Sequence, residues 1–397
     1  MKILILDTFY TSFLQSFFRD DRLADDSSYE ATWRRLMDRC FGTADFYSTS
    51  LARIGHDAKE IIVNAVPLQQ TWLRERAPDL KVRGRAGEPS WEMGVVAEQV
   101  RQFDPDVIYV QDVTHFPADF LDALRGDRRA LVGQTAYPLD WGYPFAVYDL
   151  VVTSFPHYVD RFRAIGVHSE YMTLAFAPQV RDRIPKTARD VEVAFAGSFS
   201  TAHRSALPTL AACAHNLPIQ FWGVGGDGLE NADIRSRYRG EAWGIDLFRI
   251  LARTRIGLNR HIEVAENCAN NMRLYETTGM GACLVTEARP NLPSLFITDL
   301  EVVTYTSPDD CVERISHLLS HPQQAAAIAV AGQARTLRDH TYDQRMPELA
   351  VALEQVLTSG ASPPRAHHFP HRRPTGGGTA ASLIGRLRRA ARRGIPG

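Results

Sequence analysis

The 397-residue chain is 45% hydrophobic and 23% charged, as in ordinary globular proteins, and its length exceeds what one hydrophobic core usually serves, so two domains are expected. Five cysteines form no C-x-x-C pair, which argues against a disulfide framework or a zinc site and favours a reducing cytoplasm. Residues 361–397 hold eight arginines and no acid; removing these charges from the total of −1 leaves −9 on residues 1–360. An acidic body of this kind is not expected to bind nucleic acid.

The first half of the chain alternates short apolar runs with helical patterns. Continuous apolar runs are typical of strands that are buried on both faces of a parallel sheet. Such runs or strand-like segments fall at 3–6, 60–63, 107–110, 131–133 and 150–152. The start is apolar for only four residues before an aspartate, which is too short for the core of a signal peptide. The order predicts an α/β fold with a Rossmann-like sheet of about five parallel strands.

Polar residues follow two of these strands. Asp7 and Tyr10 come after the first strand, and Asp112 and His115 come after the run at 107–110. In open α/β sheets ligands bind at the carboxyl ends of the strands, so these side chains are candidates for a cleft. A histidine beside an aspartate suits a catalytic acid or base, or a group that orients an acceptor hydroxyl. The alternatives are a turn cap for Asp7 and a loop histidine without a role for His115.

Two segments of the chain lack a clear strand or helix pattern. The polar stretch 64–92 contains Trp72 and Trp91, and it either shapes an acceptor pocket or packs these rings against the body of the protein. The charged segment 176–190, with two prolines, is expected to link two domains.

A second sheet is expected to begin with the strand 191–196, which leads into Gly197 and Ser198, with Arg204 in the following helix. A glycine at a strand end lets the backbone approach a pyrophosphate, and a guanidinium binds two of its oxygens. Neither the dinucleotide fingerprint G-x-G-x-x-G nor a Walker lysine is present. The segment therefore predicts a diphosphate contact of another type.

The most informative stretch is 270–287. Its pattern predicts a helix that begins at Asn270 or Asn271, ends at a glycine pair and passes directly into a buried strand. An asparagine cap leaves first-turn N–H groups free to bind an anion, here the backbone of Asn271 and Met272. Arg273 adds a fixed positive charge. The start of this helix therefore suits a phosphate.

Glu276 lies three residues after Arg273, so both side chains can face the same cleft. A carboxylate in that position can accept hydrogen bonds from a ribose diol, which predicts a nucleotide site. The alternative is a plain helix cap with an i, i+3 ion pair on a solvated face.

The pattern Asn-x-Arg-x-x-Glu, followed by glycine and an apolar strand, resembles the C-terminal signature of the CgeB-like (spore-maturation-protein-like) glycosyltransferases. Residues 238–259 have the same order as that group: a basic-Gly turn, an aromatic-Gly step, a helix, and a strand ending in Leu-Asn. His340-Thr341-Tyr342, with Arg345 three residues later, is similar to the start of the family's final helix.

The resemblance implies a GT-B fold, in which two Rossmann-like domains face each other across a cleft. It also implies transfer of a sugar from a nucleoside-diphosphate sugar to an acceptor hydroxyl, with retention and without a metal or other cofactor. The implied boundaries are 1–175 for the acceptor-side domain, 176–190 for the linker, 191–357 for the nucleotide-sugar domain and 358–397 for a basic tail.

In the related retaining enzymes an E-x7-E motif holds the donor, and Glu276 matches its second glutamate. The first would fall at Cys268, which departs from the pattern and bears on how the sugar is held. By the same resemblance Arg204 and Arg273 would stabilise the leaving diphosphate electrostatically.

Two other interpretations of the function stay open. Cys268 suits a degenerate GT-B module that binds a nucleotide or glycan without turnover, and a sugar-nucleotide epimerase uses the same two-domain fold. His261 and Glu263 match no zinc spacing, so no metal is expected. The tail segment 382–393 has leucines on one helical face and arginines elsewhere; it is either a solvated tail or a weak contact with anionic lipid at the inner membrane face.

Overall fold

The computed structural model describes residues 1–20, 28–199 and 207–358. Arg204 and the tail segment 382–393 lie outside these ranges, so the diphosphate role and the lipid contact inferred for them stay predictions. None of the described helices is long and apolar enough to cross a membrane.

The first half of the chain forms a six-stranded parallel sheet with the strand order β2-β1-β3-β4-β5-β6. Its strands are β1 (Lys2–Asp7), β2 (Asp57–Ile62), β3 (Val107–Val110), β4 (Ala130–Thr135), β5 (Leu150–Thr153) and β6 (Ser169–Tyr171). Its helices are α1 (Thr11–Asp20), α2 (Tyr29–Asp38), α3 (Phe46–Arg53), α4 (Val66–Arg76), α5 (Pro89–Phe103), α6 (Ala118–Arg125) and α7 (Pro156–Ala164).

The second half forms a five-stranded parallel sheet with the order β11-β10-β9-β7-β8. Its strands are β7 (Val191–Ala196), β8 (Ile219–Trp222), β9 (Thr254–Asn259), β10 (Cys283–Glu287) and β11 (Val303–Tyr305). Its helices are α8 (Leu207–Asn216), α9 (Ala232–Arg237), α10 (Gly244–Arg253), α11 (Met272–Gly279), α12 (Leu292–Leu295), α13 (Pro308–Ser320), α14 (Pro322–Asp339) and α15 (Tyr342–Thr358).

Helices cover both faces of each sheet, as the continuous apolar strands require. One buried apolar cluster includes side chains from both halves of the chain, and two further clusters lie on the other face of each sheet. The predicted α/β fold with two Rossmann-like sheets is confirmed.

The final helix, α15, follows the second sheet in sequence but packs on α3 of the first half. Asp343 accepts hydrogen bonds from Arg53 at 2.7 Å and from Ser50 at 2.8 Å, and Tyr342 packs its buried ring against Phe46 and Tyr47. The helix that starts at the His-Thr-Tyr motif therefore ties the two halves together.

In the first half the structure adds one strand to those predicted and decides between the two alternatives for the stretch 64–92. The sheet has a sixth strand, β6, which is only three residues long and carries Glu170 and Tyr171, so it has no apolar run to reveal it. The stretch 64–92 contains α4 and the start of α5, and Trp72 and Trp91 are buried. Their rings therefore pack in the core and do not shape a pocket.

Candidate functional site

Asn271 caps the start of α11. Its side-chain oxygen accepts a hydrogen bond from the N–H of Leu274 at 3.2 Å. Its amide nitrogen donates to the Asn259 side chain at 2.9 Å and to the carbonyl of Arg260 at 2.6 Å. Between the two predicted caps, Asn271 is the one that the structure selects, and its cap fixes α11 to the carboxyl end of β9.

Asn270 does not cap α11 but connects it to the first sheet. It is buried, and its side-chain nitrogen donates to the hydroxyl of Ser154 at 2.8 Å. Because Ser154 directly follows β5 of the first sheet, this bond joins the carboxyl-end edges of the two sheets. The start of α11 therefore lies at the junction between the halves.

A buried histidine supports the loop that leads to α11. The N–H of Asn270 donates to Nδ1 of His261 at 3.3 Å, and Nε2 of the same ring bonds the hydroxyl of Thr286 at 3.2 Å. Burial, with a smaller contribution from the charge of Arg289, lowers the pKa of His261 to about 3. The ring is neutral at physiological pH, and both of its nitrogens are occupied by hydrogen bonds within the protein.

Arg273 is held in place by two interactions. Its Nε donates to the carbonyl of Ala196 at 2.8 Å, and its guanidinium pairs with the carboxylate of Glu276 one turn along α11. Burial lowers the pKa of Arg273 to about 10, against an opposing effect of Tyr10. Arg273 therefore remains charged at neutral pH, and its position is fixed at the end of β7.

A cavity of about 160 Å³ lies at the start of α11. It is lined by Phe195, Ala196, Gly197, Ser198, Asn259, Arg260, Asn271, Met272 and Arg273. The structure thus brings together five of the predicted donor-binding residues: Gly197, Ser198, Asn271, Met272 and Arg273.

Backbone packing shapes one wall of this cavity. The N–H of Gly197 donates to the carbonyl of Trp222 at 3.0 Å, and a Cβ on Gly223, which has a φ of +136°, would lie 1.7 Å from the carbonyl oxygen of Gly197. Only a glycine at 223 lets the loop after β8 come this close to the loop after β7. The loop that carries Gly197 and Ser198 is therefore held against its neighbour.

Glu276 does not line the cavity. It is 5% exposed, and its carboxylate pairs with Arg273. The cap and the i, i+3 ion pair of the plainer interpretation are therefore both present, but they lie on a buried face of α11, not on a solvated one. A contact between Glu276 and a ribose stays a prediction.

His115 lies in a separate polar cluster at the edge of the first sheet. Its Nε2 pairs with the carboxylate of Glu92 on α5. Nearby, Asp7 accepts a hydrogen bond from the N–H of Thr8 at 2.7 Å, and Asp112 accepts one from the hydroxyl of Tyr137 at 2.7 Å. Burial, together with the charge of Asp112, raises the pKa of Asp7 to about 7. His115 is not among the residues that line the donor cavity.

Asn259 and Arg260 line the cavity but were not among the predicted site residues. Both lie at the carboxyl end of β9, just as Gly197 and Ser198 lie at the carboxyl end of β7. The sequence signal was present, since a polar pair follows an apolar strand there, but nothing local separates it from an ordinary loop.

Comparisons with known proteins agree with this architecture. Residues 203–350 match a protein-family model described as glycosyl transferase-like. Anabaena HepE, solved in complex with UDP-glucose, has a TM-score of 0.57 at 13% identity, covering 89% of this chain and 100% of that one. The fold is GT-B.

Two other solved structures share the GT-B fold. Sucrose-phosphate synthase from Thermosynechococcus elongatus has a TM-score of 0.55 at 11% identity, covering 90% of this chain and 100% of that one. AviGT4, a glycosyltransferase involved in avilamycin A biosynthesis, has a TM-score of 0.57 at 14% identity, covering 90% of this chain and 98% of that one. No curated protein sequence matches the chain significantly. At these identities the likeness to the solved structures concerns the fold alone.

The GT-B architecture gives the cavity a defined place. It lies at the carboxyl ends of β7 and β9 in the second sheet, the edge where open α/β sheets bind their ligands. The contact between Asn270 and Ser154 turns this edge toward the first sheet.

Proposed function

We propose that the protein is a glycosyltransferase that moves a sugar from a nucleoside-diphosphate sugar to an acceptor hydroxyl. The observation that supports this most is the cavity at the start of α11. There, the backbone after β7, the capped first turn of α11 and the guanidinium of Arg273 line one space. First-turn N–H groups and a fixed arginine are the groups that bind a diphosphate.

In the proposed reaction the bond between the anomeric carbon and the diphosphate oxygen breaks, and the leaving diphosphate gains negative charge. Arg273 is already positioned by the carbonyl of Ala196, so it can stabilise that charge without reorganising. The acceptor oxygen forms the new bond to the anomeric carbon, and its proton passes to the leaving phosphate. We propose retention through attack on the same face, following the family resemblance, and we invoke no metal.

UDP-sugars are the first donors to test, because HepE, which has the same fold, was solved with UDP-glucose. Membership of the CgeB-like group stays a prediction, as do the residue ranges of the two domains. Cys268, where the related enzymes have a glutamate, supports the rival of a module that binds a donor without turnover.

Thermal unfolding with UDP-, GDP-, dTDP- and CMP-sugars tests the proposal, together with release of the diphosphate. A donor at a hundred times its Kd stabilises the fold by about 2.7 kcal/mol. We expect one nucleotide class to stabilise the wild type, and Arg273→Lys to lose most of that shift because a lysine has no fork for two phosphate oxygens. Arg253→Lys, on the surface of α10 and paired with Asp190, is the matched control and is expected to keep the shift.

Each result has a defined meaning. Stabilisation with slow diphosphate release, faster when acceptor extracts are added, supports the transferase. Stabilisation without any release favours the module that binds without turnover. If no nucleotide sugar stabilises the wild type, the cavity is not a donor site.

A further inference from the structure

An aromatic surface lies beside the proposed donor cavity, at the junction of the two halves. Tyr10, just after β1, is 62% exposed. Its ring centroid lies 5.6 Å from that of Trp243 and 5.4 Å from that of Phe41, with edge-to-face geometry in both pairs. Trp243 precedes α10, so the two rings come from different halves of the chain.

The backbone holds this surface rigidly. Gly244, next to Trp243, has a φ of +49°, and a Cβ there would lie 2.0 Å from the carbonyl oxygen of Arg39. The N–H of Ile245 donates to that same carbonyl at 2.6 Å. On the other side, Phe41 stacks on Phe13 at 4.0 Å. The backbone next to Trp243 and the ring of Phe41 that Tyr10 contacts are therefore both packed in place.

Tyr10 lies near one residue that lines the cavity. Tyr10 and Arg273 are close enough for each to influence the other's charge, and Arg273 lines the cavity. A ligand on Tyr10 would therefore lie next to the group that we expect to hold the donor diphosphate.

The rim of the surface is polar. The carboxylate of Glu241, an exposed residue, accepts a hydrogen bond from Nε1 of Trp243 at 3.0 Å. The remaining lone pairs of the carboxylate can accept hydrogen bonds from hydroxyl groups of a ligand. An aromatic face with a carboxylate at its edge suits a molecule with one apolar face and a ring of hydroxyls, which is the character of a pyranose.

We propose that Tyr10 and Trp243 form the acceptor platform and that the acceptor is a saccharide, whose C–H face lies on the aromatic rings. This inference rests on the proposed transferase function, because it places the acceptor hydroxyl beside the donor cavity. It narrows the acceptor from any hydroxyl compound to a sugar ring.

To test this, methyl glycosides of glucose, galactose and mannose are titrated into the donor-free protein. Tryptophan fluorescence reports their binding. Sorbitol, a polyol without a ring, is the ligand control. We expect Tyr10→Ala to weaken the binding of the responding glycoside by roughly tenfold, which corresponds to about 1.4 kcal/mol. We expect Tyr10→Phe to restore it and Trp243→Phe to remove most of the fluorescence change.

Donor binding is measured separately, by the thermal shift with the nucleotide sugar. Tyr10→Ala is expected to keep that shift, as is Tyr171→Ala, which removes another exposed tyrosine, one that lines a different groove. Melting without ligand shows that each variant is folded.

Three results would overturn the proposal: no glycoside binds the wild type, Tyr10→Ala binds glycosides as the wild type does, or Tyr10→Ala loses the donor shift. Failure of the donor function shows itself differently, because then no nucleotide sugar stabilises the wild type whatever the glycosides do.

Discussion

At the scale of single residues, the pairing of Arg273 with Glu276 determines how the site can be probed. The side chain of Glu276 is 7% exposed and that of Arg273 is 25% exposed. Removing one partner of a buried pair leaves the other charge without compensation. Because Glu276 is the more buried of the two, it has less access to water when its partner is lost.

We therefore predict that Arg273→Met destabilises the ligand-free protein more than Glu276→Gln does. Loss of the arginine is expected to lower the free energy of unfolding by about 3 kcal/mol. The double variant is expected to lose less than the sum of the two single losses, with a coupling energy of about 1–3 kcal/mol. Urea denaturation of the four proteins measures this. The exposed pair of Arg34 and Glu30 on α2 is the control cycle, expected to give less than about 1 kcal/mol; additive effects at 273 and 276 would contradict a direct pair.

At the scale of elements, the first turn of α3 is capped by a side chain that lies on a strand. Asp45, its cap residue, makes no side-chain hydrogen bond to the helix. Instead, the carboxylate of Glu60 on β2 accepts the N–H of Ser48, in the first turn of α3, at 2.8 Å. Glu60 is fully buried, and burial raises its pKa to about 8. The element that receives α15 thus depends on a buried carboxyl.

The raised pKa has a definite effect on stability. In the unfolded chain Glu60 loses its proton near pH 4.3, whereas the folded protein keeps it up to about pH 8. The unfolded state therefore binds fewer protons in this window, and the free energy of unfolding falls as pH rises from about 4 to 8.

We predict that Glu60→Gln flattens this part of the stability profile. Glutamine keeps an oxygen for the Ser48 N–H but carries no charge, so its stability advantage over the wild type grows with pH and reaches at most roughly 4 kcal/mol by pH 7. Denaturant unfolding at pH 5, 6, 7 and 8 gives the difference, with Glu313→Gln on the exposed side of α13 as control. A constant difference across these pH values would show that Glu60 does not titrate in this range.

At the scale of the whole molecule, specific backbone contacts between the halves add to the buried apolar cluster that the halves share. Gly244 at the start of α10 touches the carbonyl of Arg39, and Phe176 in the segment between the sheets pairs with Thr341 just before α15. At Gly244 there is no room for a side chain, so this contact limits how closely the halves can approach.

Gly244→Ala tests this directly. Its Cβ would meet the Arg39 carbonyl oxygen, while Gly240 has a φ of +98° and no neighbouring atom within 4 Å of the added Cβ. Both variants carry the strain of a positive φ, roughly 1 kcal/mol, but only Gly244→Ala is expected to separate the halves. We predict faster limited proteolysis and a larger radius of gyration for Gly244→Ala than for Gly240→Ala. Equal values would mean that the backbone at Arg39 shifts to make room for the added Cβ without separating the halves.

The sequence predicts most of the fold because several of the buried strands contain a continuous apolar run. Strand β7 spans the predicted residues 191–196, and α11 begins after one of the two predicted asparagines. Strand β2 begins at Asp57, three residues before the predicted start, because pairing with β1 extends it over residues that carry no apolar signal. Strand β6 escaped prediction for the same reason.

The site was predictable only in part. Glycine at a strand end and an asparagine cap are local signals, and the structure brings Gly197 and Asn271 to one cavity. The orientation of Glu276 toward Arg273, by contrast, depends on what α11 packs against, which no spacing reveals. Tyr10 was predicted as a cleft residue, but its pairing with Trp243 was not predictable, because the two rings come from opposite halves and meet only in the folded protein.

The long-range pairing of α15 with α3 also bears on how the protein is made. Arg53 and its partner Asp343 are 290 residues apart, and at a synthesis rate of roughly 5–20 residues per second their meeting is delayed by about 15–60 s. During that time the apolar face of α3 around Tyr47 has no final partner. We therefore expect a growing chain on the ribosome to expose this face, and arrested translation before residue 342 to yield a product that aggregates.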